Sequence, residues 1–164
     1  MLILIAGLPG TGKTTVAKSF AKKYGARHLN SDTTRREMGL WGSYRPEDKA
    51  RVYEELLNRT RTALASGQTV AVDSTFFRAG LRRPFLELAG KMNVKVCWVL
   101  ATAPDDVLHE RVARPRADSE ADESVLEKIK AQFEPLEPPY LTLDTASASP
   151  EALADAIIDY LRHG

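Results

Sequence analysis

Gly7-Leu8-Pro9-Gly10-Thr11-Gly12-Lys13-Thr14 is the stretch that decides how this chain folds. It reads G-x-x-x-x-G-K-[ST], the P-loop pattern, in which each fixed position has a job on a nucleoside triphosphate. The glycines let successive backbone N–H groups turn toward phosphate oxygens with no Cβ in the way. Lys13 has the reach for β- and γ-phosphates, and the Thr14 hydroxyl suits Mg²⁺. A helix beginning here aims the positive end of its dipole at the same anion. The flanks agree with that reading. Leu2–Ala6 is a short apolar run of the kind a buried parallel strand needs, and Val16, Ala17, Phe20 and Ala21 recur at helical spacing. The motif therefore sits in strand–loop–helix. The predicted ATP-binding set is Gly7, Leu8, Pro9, Gly10, Thr11, Gly12, Lys13, Thr14 and Thr15.

Outward from the motif, short apolar runs alternate with amphipathic stretches. Strands are predicted at Leu2–Ala6, Arg27–Asn30, Thr69–Asp73, Val94–Ala101 and Tyr140–Leu143. Helices are predicted at Lys13–Tyr24, Thr34–Met38, Pro46–Ser66, Ala79–Lys91, Pro104–Ala113, Asp122–Phe133 and Pro150–Arg162. Ser149-Pro150-Glu151 is a helix start, with a capping hydroxyl, a proline in the first turn and then an acid; Gly25 and Gly67 mark helix ends. Repeated β–α alternation predicts an α/β fold: the three-layer P-loop NTPase architecture, a parallel five-stranded sheet with helices on both faces. A length of 164 residues suits one such domain spanning 1–164. The Pro135–Pro139 segment reads as a stiff connector and as a candidate base-recognition loop.

Composition narrows the setting. No apolar run reaches the length of a membrane span, and the apolar N-terminus is too short for a signal peptide and lacks a basic leader. The single cysteine, Cys97, lies in an apolar run and reads as a buried structural thiol; no His/Cys cluster has zinc spacing. A cytoplasmic protein with no membrane partner is expected. The net charge of +1 hides an asymmetry: residues 1–100 carry 17 Lys/Arg and 8 Asp/Glu, net +9, and the remainder is net −8. That pattern is either two solvated faces of opposite sign or a region that handles polyanions.

In folds of this type ligands sit at the carboxyl ends of the strands. Asp32 follows the second predicted strand, where a carboxylate could take the proton of an attacking hydroxyl or could simply cap a short helix. Arg35, three residues on, could hold a nearby anion. Asp73 ends the third strand, where an unpaired acid would be costly; holding Mg²⁺ through water or binding the acceptor are its candidate roles. Arg78, Arg82 and Arg83 form either a substrate clamp or a solvated helix face. Arg111, Arg114 and Arg116 enter an acidic stretch, together suggesting a lid over approximately residues 111–123 that carries a transition-state arginine. Trp41, Tyr44, Phe76 and Phe77 are candidates for stacking a base, or for core packing.

Gly7–Thr14, Asp32-x-x-Arg35, the strand ending at Asp73 and the arginines of 111–116 together resemble the polynucleotide 5′-hydroxyl kinases. More broadly, the chain is similar to small P-loop kinases that include zeta-toxin and chloramphenicol phosphotransferases, and to ATP-binding units fused to aminoglycoside-phosphotransferase-like proteins. The resemblance spans roughly residues 2–136. It implies Asp32 as general base, Arg35 on the acceptor's phosphate, and Asp73 positioning the acceptor. It implies Lys13 and Thr14 on the ATP phosphates and Mg²⁺, and Arg114 or Arg116 as the lid arginine. Arg111 joins the ATP set and Arg78 the acceptor set. The expected activity is transfer of the ATP γ-phosphate to a hydroxyl, by preference the 5′-OH end of RNA or DNA. A small hydroxylated metabolite or antibiotic is the alternative acceptor. A nucleotide-binding regulatory switch is the alternative of another class.

Overall fold

The computed structural model describes residues 1–115 and 121–163. Five strands form one wholly parallel sheet: β1 (Leu2–Ala6), β2 (Arg27–Asn30), β3 (Val70–Asp73), β4 (Val96–Thr102) and β5 (Leu141–Asp144), in the order β2-β3-β1-β4-β5. Seven helices are α1 (Lys13–Tyr24), α2 (Ser31–Glu37), α3 (Pro46–Ala65), α4 (Ala79–Met92), α5 (Asp105–Ala113), α6 (Glu123–Gln132) and α7 (Pro150–His163). The predicted α/β architecture is what the chain adopts.

The two faces of β1 follow the period-two alternation of a strand. Leu2, Leu4 and Ala6 face a core built with Tyr53 and Leu56 of α3, Phe85 and Leu88 of α4, and Trp98. Ile3 and Ile5 face the other core, with Val16, Ala17 and Phe20 of α1 and Leu153, Ala154 and Ile157 of α7. All five residues of β1 are buried, which is why the strand reads as an unbroken apolar run. Cys97 belongs to the second core, where burial pushes its thiol up to about 11, as a structural thiol requires. Among the described residues no helix is long and apolar enough to cross a membrane.

Two boundaries differ from the sequence expectation by more than one residue, each for a local reason. The second helix starts at Ser31, directly after β2, because Asn30 caps it: its side chain accepts from the Thr33 N–H at 2.8 Å. β4 starts at Val96 because Asn93 closes α4 in the left-handed conformation and the Val94 N–H is spent on the Ala89 carbonyl.

Register brings the chemistry to one edge. Asn30 pairs with Asp73, and Asp73 pairs with Ile5, so the ends of β2, β3 and β1 are level. From there α1 leaves on one face of the sheet and α4 on the other, which opens a crevice beyond Ala6. The loop after β3 walls that crevice, and Arg82 anchors it. Buried in α4, Arg82 donates to the carbonyls of Phe76 at 2.7 Å, Pro135 at 2.8 Å and Glu134. The clamp reading of Arg82 is thereby corrected: its guanidinium ties two loops together. Replacing it strands those carbonyls in a poorly solvated place. Arg82→Ala is expected to cost about 2–4 kcal/mol of unfolding free energy in urea titration.

Candidate active site

Gly7 opens the P-loop in a gap that admits no side chain. A Cβ there would stand 2.5 Å from the Ala101 carbonyl oxygen and 2.7 Å from Thr11 Oγ1. The loop is held from behind through its carbonyls. Leu8 O accepts from Thr11 Oγ1 and from Lys13 Nζ, both at 2.8 Å. Gly10 O accepts from Arg111 at 3.0 Å, and Thr11 O from the Thr145 hydroxyl at 2.7 Å. Carbonyls tied outward are the complement of amides turned inward toward an anion.

Beneath the loop lies a buried polar junction centred on Asp73, whose surface is 1% exposed. Asp73 Oδ1 accepts from Thr14 Oγ1 at 2.8 Å and from Asn30 Nδ2 at 2.7 Å; Oδ2 meets His28 Nε2 at 2.5 Å. Asn30 also reaches Thr14 Oγ1 at 3.3 Å. A hydroxyl and a carboxylate this close are hard oxygen donors of the kind Mg²⁺ takes, and they sit where triphosphate oxygens would complete its shell. Among the described residues no trio of His, Cys, Asp and Glu forms a protein-only metal cage. The donor set thus fits a cation shared with a nucleotide. Thr14 and Asp73 would hold it, and the ion would offset charge on the phosphates.

Asp32 lies in the first turn of α2, beyond the cap that Asn30 already supplies. The helix-capping role left open for Asp32 therefore belongs to Asn30. Asp32 Oδ1 accepts from Arg35 Nη1 at 2.7 Å. Burial pushes its carboxyl above the usual range, against the pull of Arg35 and Lys13. Both Asp32 and Arg35 line a cavity of about 380 Å³. One end of it is the P-loop with Lys13 and Thr14. The other is walled by Tyr44, Lys49 and Tyr53, by Phe77 after β3, and by Val125 and Ile129 of α6. A hydrogen-bonded chain joins its floor, Tyr53 to Ser74 at 2.6 Å and Ser74 to Ser31 at 2.9 Å.

A second cavity of about 460 Å³ opens on the opposite side of the P-loop. Gly10, Gly12, Thr15, Arg111, Arg114, Pro115, Thr145, Pro150 and Leu153 line it. Arg111 bridges Gly10 and Thr145, at 3.0 Å to each. Arg114 is exposed and pairs with Glu110 at 2.5 Å. Both arginines stand on this side rather than in the Asp32 cavity. Arg116 and most of the acidic stretch lie outside the described residues, 116–120 being undescribed. The Pro135–Pro139 connector lines neither cavity; the loop beside the P-loop is the one carrying Thr145.

Other candidates are placed elsewhere than expected. Arg78 donates to Gln132 at 3.1 Å on the exposed side of α6 and lines neither cavity. Phe76 is fully buried among Tyr53, Phe85 and Trp98, so it packs the core instead of facing a ligand. Trp41 lies over the Arg36 guanidinium at 4.1 Å, away from both cavities. Tyr44 and Phe77 do reach the Asp32 cavity. Residues that sequence reasoning passed over are His28, Asn30, Lys49 and Thr145. Asn30 alone left a trace, as a polar end to a strand followed by a helix start.

A family model described as an AAA domain, AAA_33, matches residues 2–136. The uncharacterised protein Rv2004c of Mycobacterium tuberculosis is 31% identical over 144 residues; the match takes in 80% of this chain and 29% of that protein. The chain thus spans less than a third of the length of that relative. Among solved structures, a candidate kinase of Chloroflexus aurantiacus superposes with TM-score 0.79 at 26% identity, covering 99% of this chain and 96% of that one. The Mycobacterium tuberculosis APS kinase CysC, solved with AMPPNP and APS, superposes with TM-score 0.75 at 19% identity over 98% of this chain and 96% of that one.

The Gly7 contacts generate a sharp expectation. Gly7→Ala forces the loop away from Ala101, whose backbone cannot yield. The variant should fold yet bind a fluorescent ATP analogue at least tenfold more weakly in titration.

Proposed function

The chain belongs to the AAA_33 family of P-loop kinase-like proteins, and from that premise we propose that it transfers the γ-phosphate of ATP to a hydroxyl of a small molecule. The observation that carries this reading is the walled cavity joining the P-loop to Asp32. Its volume of about 380 Å³ is of the size that surrounds a small ligand. Helix α6 and the segment carrying Tyr44 and Lys49 bound it where an extended polynucleotide would need an open groove. The APS kinase, which shares the fold, was solved with a nucleotide and APS together.

In this reading the triphosphate lies along the P-loop, with Lys13 on its β- and γ-phosphates and its base in the cavity beside Arg111 and Thr145. Thr14 and Asp73 would hold Mg²⁺, which would supply positive charge against the phosphates. The acceptor hydroxyl faces Asp32. As its oxygen bonds to the γ-phosphorus, its proton passes to the Asp32 carboxylate. The bond from the γ-phosphorus to the bridging oxygen breaks, and ADP leaves. Arg35, hydrogen-bonded to Asp32, sets the orientation of that carboxylate.

Labelled ATP tests the reading with a panel of sugars, sugar acids, aminoglycosides and chloramphenicol, run beside a 5′-OH oligonucleotide. Label on a small molecule is expected; label on the oligonucleotide alone would overturn the small-acceptor reading. Asp32→Asn should lower transfer by about 10²–10⁴-fold while leaving nucleotide affinity nearly intact. In a nucleotide-dependent switch the same change would barely alter slow ATP hydrolysis.

The pH profile offers an independent check. Only ionised Asp32 accepts a proton, so the rate falls as pH drops through its pKa. Burial holds that pKa above the usual carboxylate value of 3.8. The acid limb of kcat against pH should therefore lie above that value, and it should vanish from the residual activity of Asp32→Asn.

A further inference from the structure

Among the described residues, Lys49 is the cation lining the Asp32 cavity whose role the phosphoryl-transfer scheme leaves open. It projects from the first turns of α3 with Tyr53 one turn on, the spacing that puts both on one helix face. Its Nζ lies 4.6 Å from the centre of the Phe77 ring, and Phe77 is itself only 3% exposed. Among the described residues no carboxylate pairs with Lys49. The acid beside it in sequence, Asp48, is turned to other partners. Asp48 accepts from Ser43 at 2.5 Å and from Arg45 at 2.9 Å, and stands 3.6 Å from Arg51.

The charges facing Lys49 from the packed elements are mostly of its own sign. Burial first, then Lys128 of α6, Arg35 of α2 and Arg78 in the turn after β3, hold the Lys49 pKa below its usual value. Among the described residues the acids lining the cavity are Asp32 and Asp73, and both are engaged, Asp32 by Arg35 and Asp73 by Thr14, Asn30 and His28. Arg35 is 4% exposed, its guanidinium stacks on the Tyr44 ring at 4.7 Å, and its Nε has no hydrogen-bond partner. A half-buried ammonium and a buried guanidinium thus share one wall of the cavity, and among the described residues its lining cations, Lys13, Arg35 and Lys49, outnumber its acids, Asp32 and Asp73. Such an arrangement is costly unless something anionic enters.

Building on the small-acceptor reading, we propose that the acceptor is an anionic hydroxyl compound whose phosphate, sulfate or carboxylate group is seated at Lys49, beside Arg35, with its reacting hydroxyl toward Asp32. Lys49 is then the residue that sets acceptor class. Phe77 and Tyr44 line the same wall and cover the carbon skeleton between the anion and the hydroxyl. The guanidinium of Arg35 already serves Asp32, which leaves Lys49 as the cation that discriminates charged from neutral acceptors.

Two measurements on the full chain test this. In the first, labelled ATP is offered with matched pairs, gluconate against glucose and glycerol 3-phosphate against glycerol. The anionic member of a pair should be phosphorylated at least tenfold faster at low concentration. Lys49→Met should raise its KM at least tenfold and shift the KM for ATP by less than twofold. In the second, reductive methylation of Lys49 is followed by mass spectrometry with inorganic phosphate, sulfate, gluconate or glucose present. The anions should slow methylation of Lys49 severalfold relative to Lys18 and Lys91, and glucose should not. Faster labelling of neutral members with Lys49 unprotected overturns the proposal while leaving the kinase reading in place. Protection of Lys49 by anions with no phosphoryl transfer to any compound overturns the kinase reading and leaves the anion seat. Unprotected Lys49 with all four probes overturns the seat itself.

Discussion

A carboxylate with 1% of its surface in contact with solvent must be paired, and the carboxyl edge of the sheet is organised around the pairing of Asp73. Three elements meet at its two oxygens. His28 and Asn30 come from β2, Thr14 from α1, and Asp73 itself ends β3. Each partner has a second duty. Asn30 caps α2 and so sets where Asp32 stands. Thr14 follows the P-loop lysine and so fixes the loop's exit. Losing the junction would leave a buried charge unsatisfied and release the donor and acceptor sides together. The placement of the P-loop's exit and the stability of the sheet edge share one polar cluster here, where low dielectric makes a satisfied network rigid.

The elements were largely legible in the amino-acid order because their signals are local. β1, β2 and α1 have the boundaries their apolar runs and flanking residues imply. The P-loop was legible for the same reason, since its pattern is contiguous. Asp32, Arg35 and Asp73 could be suspected from strand-end position alone, and the structure brings all three to one cavity. What local signals could not convey was pairing at long range. His28 and Asp73 are 45 residues apart, and only the parallel register of β2 and β3 makes them neighbours. Arg82 looked like a member of a basic surface cluster until the fold placed three carbonyls around its guanidinium. Phe76 and Phe77 are indistinguishable as adjacent letters, yet one packs the core and the other lines the cavity.

The positive bias of the N-terminal region also acquires a more specific meaning. Much of it is neutralised locally, as in Arg59 with Glu55 and Glu37, and Arg45 with Asp48. What matters for ligands is the imbalance inside the cavities. Lys13 and Arg111 border the P-loop, while Arg35 and Lys49 stand at the far end of the Asp32 cavity. The net charge of +1 for the whole chain conceals this entirely.

Phe76 holds a positive φ of 45°, a conformation that costs a side-chain-bearing residue, and its ring is packed edge-on against Tyr53, Phe85 and Trp98. The reversal it imposes sends consecutive rings to opposite destinations, one inward and one toward the ligand. Core packing and cavity lining are thereby assigned to different letters of the same dipeptide. A substitution at residue 77, or at residue 49 across from it, would reshape the cavity wall without disturbing the aromatic cluster below. The turn thus acts as a firewall between the packed aromatic cluster and the wall of the cavity.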